Sequence, residues 1–228
     1  MFTSLIHLFF PPVCAGCDSL LLVSENAICS RCRHEVPQTG HHLIPQNEAF
    51  KKFYGKVDVV FAAAFLYYHK KGIVQELIHQ LKYKGMEEIG AALGHWYGAD
   101  LKTIGALQSV DAIIPVPLHP KKLRQRGYNQ VSRFGLALSE NLGKPLNQNI
   151  LIRKVYSKTQ TKKNLLGRSE LGTKEIFDVV FSEQDHHLHF LLIDDVLTTG
   201  STLESCSKAL LKIPGARISI VCMALSHS

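Results

Sequence analysis

Residues 190–202, Phe-Leu-Leu-Ile-Asp-Asp-Val-Leu-Thr-Thr-Gly-Ser-Thr, constrain this chain more than any other segment. Four apolar residues end in two adjacent carboxylates, and a turn rich in hydroxyls and glycine then opens an amphipathic stretch, a pattern that reads as buried strand, loop and helix. A helix N-terminus leaves backbone N–H groups unpaired and carries partial positive charge, so residues 198–202 predict a phosphate cradle. Two carboxylates beside a phosphate repel it unless they face neutral hydroxyls or a divalent cation. A ribose 5-phosphate satisfies both halves: its phosphate on Thr198, Thr199, Gly200, Ser201 and Thr202, its ring hydroxyls on Asp194 and Asp195. The plain alternative is a strand running into a helix cap, with Asp195 or Thr198 as the capping residue.

With 228 residues, 46% of them hydrophobic, the chain has ample material for a core. The longest apolar runs, around residues 5–13 and 57–68, are too short to span a bilayer. The first lacks a basic flank and closes in Pro11-Pro12, unlike a secretory signal, so the reading is a cytoplasmic chain. A formal charge of +7 and a pI near 9.1 favour phosphate-bearing partners without separating sugar phosphate, nucleic acid and anionic lipid.

An apolar leader (Phe2, Leu5, Ile6, Leu8, Phe9, Phe10) precedes two Cys-x-x-Cys knuckles, Cys14/Cys17 and Cys29/Cys32. Four thiolates so spaced converge on one tetrahedral Zn²⁺ in a small ribbon subdomain. Two disulfides fit a cytoplasmic chain poorly, and a redox pair is expected to open a helix in a βαβ unit, which this segment does not suggest. Residues 33–56, polar and holding Pro37, Gly40 and Pro45, read as a linker. The expected organisation is a leader and zinc ribbon over residues 1–45 and a doubly wound α/β domain over residues 46–228.

Within that domain, residues 57–68 read as a strand pair or one long strand, 72–84 and 86–102 as helices, and 110–117 as a buried parallel strand. Lys82 and Lys84 suit the C-terminal dipole of the first helix, and either could also meet a diphosphate. Residues 118–130 read as a basic loop in which Lys121, Lys122, Arg124 and Arg126 crowd before Gly127, which admits close approach of a ligand. In a doubly wound sheet such a loop gathers beside the acidic pair, where its cations suit a diphosphate. A helix at 129–142 follows. Residues 150–174, rich in Lys, Thr, Ser and Gln, read as a solvated loop. Strands at 177–181, 189–194 and 216–224 and a helix at 203–213 complete the pattern. Cys206 and Cys222 read as buried thiols.

The strand, acidic pair and Thr-Thr-Gly-Ser-Thr turn resemble the phosphoribosyl diphosphate signature of type I phosphoribosyltransferases. Pro115-Val116-Pro117, followed by a basic loop ending in Arg126-Gly127-Tyr128-Asn129-Gln130, resembles the ComF family of competence proteins. The four cysteines after a proline pair and Lys82-Tyr83 match it as well, so four motifs in family order span residues 11–202. The resemblance implies a type I phosphoribosyltransferase-like sheet, phosphoribosyl diphosphate as ligand with Mg²⁺, and a flap over 150–174 that closes on the substrate through Arg153, Gln160 and Arg168. Where the pattern has Asn three residues after Arg168, this chain has Leu171. It also implies a role in uptake of transforming DNA, with single-stranded DNA and the uptake machinery at the inner membrane as partners.

Three readings follow. One is a phosphoribosyltransferase-like enzyme or ligand-gated module serving DNA uptake. Another is a non-catalytic adaptor in which the zinc knuckle, the basic loop with Tyr128 and the flap with Tyr156 grip single strands. The third is a nucleotide-salvage enzyme, which requires a hydrophobic clamp for a base; no contiguous segment supplies one.

Overall fold

The computed structural model describes residues 11–154 and 176–226. The leader side chains, Tyr156, Gln160, Arg168 and Leu171 lie outside the described residues.

Four strands, β1 (Phe61–Tyr68), β2 (Ala112–Pro115), β5 (His189–Leu197) and β6 (Arg217–Ser226), form one sheet in the order β1-β6-β5-β2, parallel throughout. A short antiparallel pair, β3 (Leu151–Arg153) and β4 (Phe177–Val179), brackets residues 155–175. Alternate residues of β5 serve two cores: Leu191 and Ile193 face one, Phe190 and Leu192 the other, and all four are fully buried. Strands covered on both sides read as continuous apolar runs, which is why 190–193 shows no polar alternation.

Three helices supply the first core: α3 (Ile73–Tyr83), α4 (Glu88–Leu101) and α7 (Ser132–Leu142). On α3, Val74, Leu77, Ile78 and Leu81 are buried at helical spacing. The second core holds α8 (Ser201–Leu210), the β3–β4 pair and residues of the short helix α2 (Glu48–Lys51). A further short helix, α5 (Gly105–Gln108), leads into β2. This is the doubly wound parallel α/β class expected from the pattern.

The cysteine segment shares the first core. Cys14, Ala15, Ile28, Cys32 and Val36, the last just beyond helix α1 (Ser30–Glu35), pack in one cluster with α3 and α4. Residues 33–56, expected as a linker, dock on β1 instead. Thr39 N–H donates to Phe65 O (2.9 Å), Tyr67 N–H donates to Pro37 O (2.8 Å), and the buried Asn47 amide donates to the carbonyls of His41, Ile44 and Ala62. Asn47 also caps α2 by accepting the Phe50 N–H. A polar composition hid this because the anchors are backbone groups, one amide and a few scattered apolar side chains, Val36, Ala49 and Phe53, that show no strand or long-helix period.

The basic loop is also corrected. Residues Pro120–Arg126 form a helix, α6, because His119 accepts the Lys121 N–H as its N-cap, Pro120 supplies a fixed φ in the first turn, and Gly127 closes it at φ 82°. Strand β1 begins at Phe61 rather than 57, where its ladder with β6 starts. Among the described residues no helix is long and apolar enough to cross a membrane.

Candidate functional site

Because every strand of the main sheet runs the same way, their carboxyl ends lie along one edge, with Tyr68, Leu197 and Ser226 nearly level and β2 stopping earlier, at Pro115 opposite Ile193. At this edge β5 delivers the acidic pair. Asp195 is 6% exposed, and its Oδ2 is held from two sides: Lys82 Nζ lies at 2.9 Å and Gln130 Nε2 donates at 2.7 Å. Asp194 folds back, its Oδ1 accepting the Asp195 N–H at 2.8 Å. Burial, and then the neighbouring Asp195 charge, push the Asp194 carboxyl up to about 8.

These two states answer the repulsion raised by the sequence. The raised Asp194 carboxyl and the pairing of Asp195 with Lys82 both lessen the negative charge presented to an anion a few residues away.

The turn that follows is open. Thr198, Thr199, Ser201 and Thr202 are exposed, Thr199 Oγ1 and Ser201 Oγ stand 3.1 Å apart, and the N-cap of α8 is Gly200, which makes no side-chain cap. Neither Asp195 nor Thr198 caps the helix, contrary to the plain alternative. Gly200 sits at φ 83°, a conformation an L side chain enters only with strain. Asp194, Val196, Thr198 and the first turn of α8 enclose a shallow recess of about 30 Å³.

The second strand–helix unit contributes less than the sequence assigns to it. Arg126 turns inward, donating to Gln130 Oε1 at 2.7 Å and lying over the Tyr83 ring at 5.2 Å. Gln130 thus joins Arg126 to Asp195. Lys121, Lys122 and Arg124 stay exposed on α6, away from the acidic pair's contacts. Tyr128 hydroxyl donates to the Leu81 carbonyl and fixes the end of α3, and Asn129 Nδ2 donates to Val116 O at 3.0 Å. Gly127 serves the C-cap of α6; a Cβ there meets nothing within 4 Å. Arg153 lies on β3 over Phe177 at 5.1 Å.

Two further recesses adjoin. A cleft of about 300 Å³ between α3 and the ends of β1, β5 and β6 shares Val196 and Thr198 with the 30 Å³ recess. A smaller one of about 120 Å³ shares Lys82 and Tyr83 with that cleft and is closed by Gln125, Arg126 and Tyr128. Lys82 and Gln130 are the residues sequence reasoning placed least well. The signal for Lys82 was its pairing with an aromatic at a helix end; Gln130 closes the Arg-Gly-Tyr-Asn-Gln run.

At the other end of the chain the sulfurs of Cys14, Cys17, Cys29 and Cys32 all lie within 4.8 Å of one another, with none in a disulfide. Cys17 Sγ and Cys29 Sγ are 3.7 Å apart, close to the ~3.8 Å of a tetrahedral Zn–thiolate site. Backbone N–H groups of Gly16 and Cys29 point at Cys14 Sγ, and that of Cys32 at Cys29 Sγ. Such donors stabilise thiolates, so the set fits a structural zinc.

No family model matches the sequence. The chain is similar to Competence protein F of Haemophilus influenzae, 29% identical over 215 residues that cover 90% of this chain and 93% of that protein. It is similar to DNA utilization protein YhgH of Salmonella typhimurium, 28% identical across 93% of this chain and 96% of the relative. Competence protein ComFC of Bacillus subtilis is 24% identical over 88% and 78%. Among solved structures, a B. subtilis glutamine phosphoribosylpyrophosphate amidotransferase complexed with ADP and GMP aligns at TM-score 0.39 and 15% identity, over 62% of this chain and 30% of that one. The chain thus spans under a third of that enzyme's length. Adenine phosphoribosyltransferase from Leishmania tarentolae aligns at TM-score 0.37 and 15% identity, over 63% and 73%.

Proposed function

We propose, starting from a chain that belongs to the ComF/YhgH family of competence and DNA-utilization proteins, that its sheet edge binds phosphoribosyl diphosphate with Mg²⁺ in the service of uptake or processing of single-stranded transforming DNA. The observation that carries this reading is the row of three adjoining recesses, linked by Val196 and Thr198 on one side and by Lys82 and Tyr83 on the other. The 5-phosphate takes the uncapped turn at Thr198–Thr202, the ribose hydroxyls face Asp194 and Asp195, and the diphosphate reaches toward Lys82 and Arg126.

Mg²⁺, carried on the diphosphate, supplies charge neutralisation there. The chain's own carboxylates are poor competitors for it, since Asp195 is paired with Lys82 and Gln130 and Asp194 binds its proton more tightly than an ordinary carboxylate. Phosphoribosyl transfer is the reaction that such a site serves, and in it Lys82 and Arg126 would exchange part of their contacts with Asp195 and Gln130 for the departing charge.

The test is titration of the full chain with phosphoribosyl diphosphate and Mg²⁺, beside an Asp194→Asn/Asp195→Asn variant. Binding by the wild type alone is expected; equal binding by both overturns the reading. The adaptor reading is favoured by one observation, the three exposed cations Lys121, Lys122 and Arg124 on α6. It expects single-stranded DNA binding that falls steeply with salt and tolerates Asp194→Asn.

A further inference from the structure

Gln130 is 6% exposed and meets two opposite charges with the two ends of one amide. Its Oε1 accepts from the Arg126 guanidinium at 2.7 Å, and its Nε2 donates to Asp195 Oδ2 at 2.7 Å. Only one orientation of the amide does both, because the flipped group sets donor against donor and acceptor against acceptor. The nearest substitutes fail at one end or both. An ionised glutamate meets Asp195 with a second negative charge, and a leucine leaves both partners unanswered.

The chain around Gln130 is held from three sides. The Tyr128 hydroxyl donates to Leu81 O on α3, Asn129 Nδ2 donates to Val116 O at 3.0 Å just past β2, and a Cβ on Gly90 of α4 would stand 3.6 Å from Gln130 O. An acceptor anchored in this way fixes the guanidinium that it binds. Arg126, packed over the Tyr83 ring at 5.2 Å, lines the recess of about 120 Å³ together with Lys82 and Tyr128. One of its N–H groups is spent on Gln130, and the others are left for a ligand there.

We infer that Gln130 is a positioning residue: anchored on Asp195, it aims Arg126 into the diphosphate recess and so ties the diphosphate end of the site to the ribose end. The inference rests on the sugar-phosphate reading above and adds to it the residue that joins the two ends.

Gln130→Glu supplies a readout that a packing role does not move. Protonated, the new carboxyl accepts from Arg126 and donates to Asp195 as the amide does; ionised, it neutralises Arg126 and repels Asp195. The charged and titratable groups set around this position are Lys82 and Tyr83 from α3, Arg126 from α6, Tyr128, Asp194 and Asp195 from β5, and Glu87 before α4, which pairs with Arg133 of α7 at 3.9 Å. All of them are shared with the wild type. A comparison of the two proteins at the same pH therefore isolates the new carboxyl.

The experiment is calorimetric titration of the zinc-loaded full chain with inorganic diphosphate and with phosphoribosyl diphosphate, each with Mg²⁺, with thermal melts confirming each fold. The affinity of Gln130→Glu for diphosphate, taken as a ratio to wild type, is expected to fall about tenfold between about pH 5.5 and about pH 8. A ratio that does not change with pH overturns the inference. A second set, Arg126→Leu, Gln130→Leu and the double variant, decides the matter if Gln130→Glu does not fold. Gln130→Leu alone is expected to weaken diphosphate about tenfold, the scale of a lost hydrogen bond to a charged group. On the Arg126→Leu background the same change should cost about threefold or less, since the group it aims is gone. Equal losses on the two backgrounds overturn the inference and leave the sugar-phosphate reading standing. A wild type that binds neither ligand sinks both.

Discussion

Lys82 Nζ stands 2.9 Å from Asp195 Oδ2, the same oxygen that accepts the Gln130 amide at 2.7 Å. One buried carboxylate therefore collects the end of α3 and the start of α7 at the edge of β5. Through Gln130 the connection extends to Arg126, and through Arg126 to Tyr83. The site is a closed set of charges before any ligand arrives.

Removing one member of a buried pair leaves the other charge without compensation. Lys82→Met is expected to cost about 3 kcal/mol, the low end for such pairs because Lys82 keeps some solvent contact. Adding Asp195→Asn to Lys82→Met should restore most of the loss. Urea unfolding of the two single variants and the double variant measures this; additive losses contradict it.

The Asp194 carboxyl titrates higher folded, at about 8, than its ordinary value of 3.8. Between those values the folded state holds the extra proton, so this residue's contribution to stability falls as pH rises through the window. Asp194→Asn is therefore expected to melt above the wild type near about pH 8.5, with the gap closing toward about pH 4. Melting curves across that range check it, and a gap that does not change with pH refutes it.

Chelation or loss of one cysteine should reach beyond the knuckle, because Cys14 and Cys32 are buried in the same core as α3 and α4. The purified chain is expected to carry about one zinc per molecule. Cys32→Ser should abolish that content and lower the melting temperature of the whole fold rather than of a local step. Elemental analysis with calorimetry decides; a metal-free chain of unchanged melting temperature contradicts the zinc reading.

Gly200→Ala places a Cβ at φ 83° and 3.4 Å from the Phe53 ring. The expected cost is about 1–2 kcal/mol of stability, mainly from the left-handed backbone. Gly127→Ala meets the same φ with nothing within 4 Å and should show the backbone term alone. Chemical denaturation of the two variants compares them.

Much of this was legible in the sequence, for identifiable reasons. The strand–acid pair–turn–helix unit could be read because period, charge and turn residues all change within thirteen positions, 190–202. The cysteine cluster could be read because ligand spacing is local. What stayed hidden depends on contacts between distant segments. Lys82 looked like an ordinary helix-end lysine until β5 brought Asp195 to it. The helix at Pro120–Arg126 was masked by its charge, though His119, Pro120 and Gly127 mark both ends. Residues 33–56 looked like a connector because their anchors, the Asn47 amide, backbone bonds to β1 and the isolated apolar residues Val36, Ala49 and Phe53, follow no regular period. The 300 Å³ cleft draws on Tyr68, α3, Val196 and Ser226, which no window of sequence contains.

The central claim is that residues 198–202 hold a sugar phosphate, and Thr199→Glu tests it most directly, since Thr199 is exposed and the change adds one carboxylate to the turn without disturbing the core. Wild type and Thr199→Glu are titrated calorimetrically with phosphoribosyl diphosphate and Mg²⁺ at equal zinc content and matched melting temperature. The account predicts saturable binding by the wild type and none by Thr199→Glu. Undiminished binding by Thr199→Glu would contradict it.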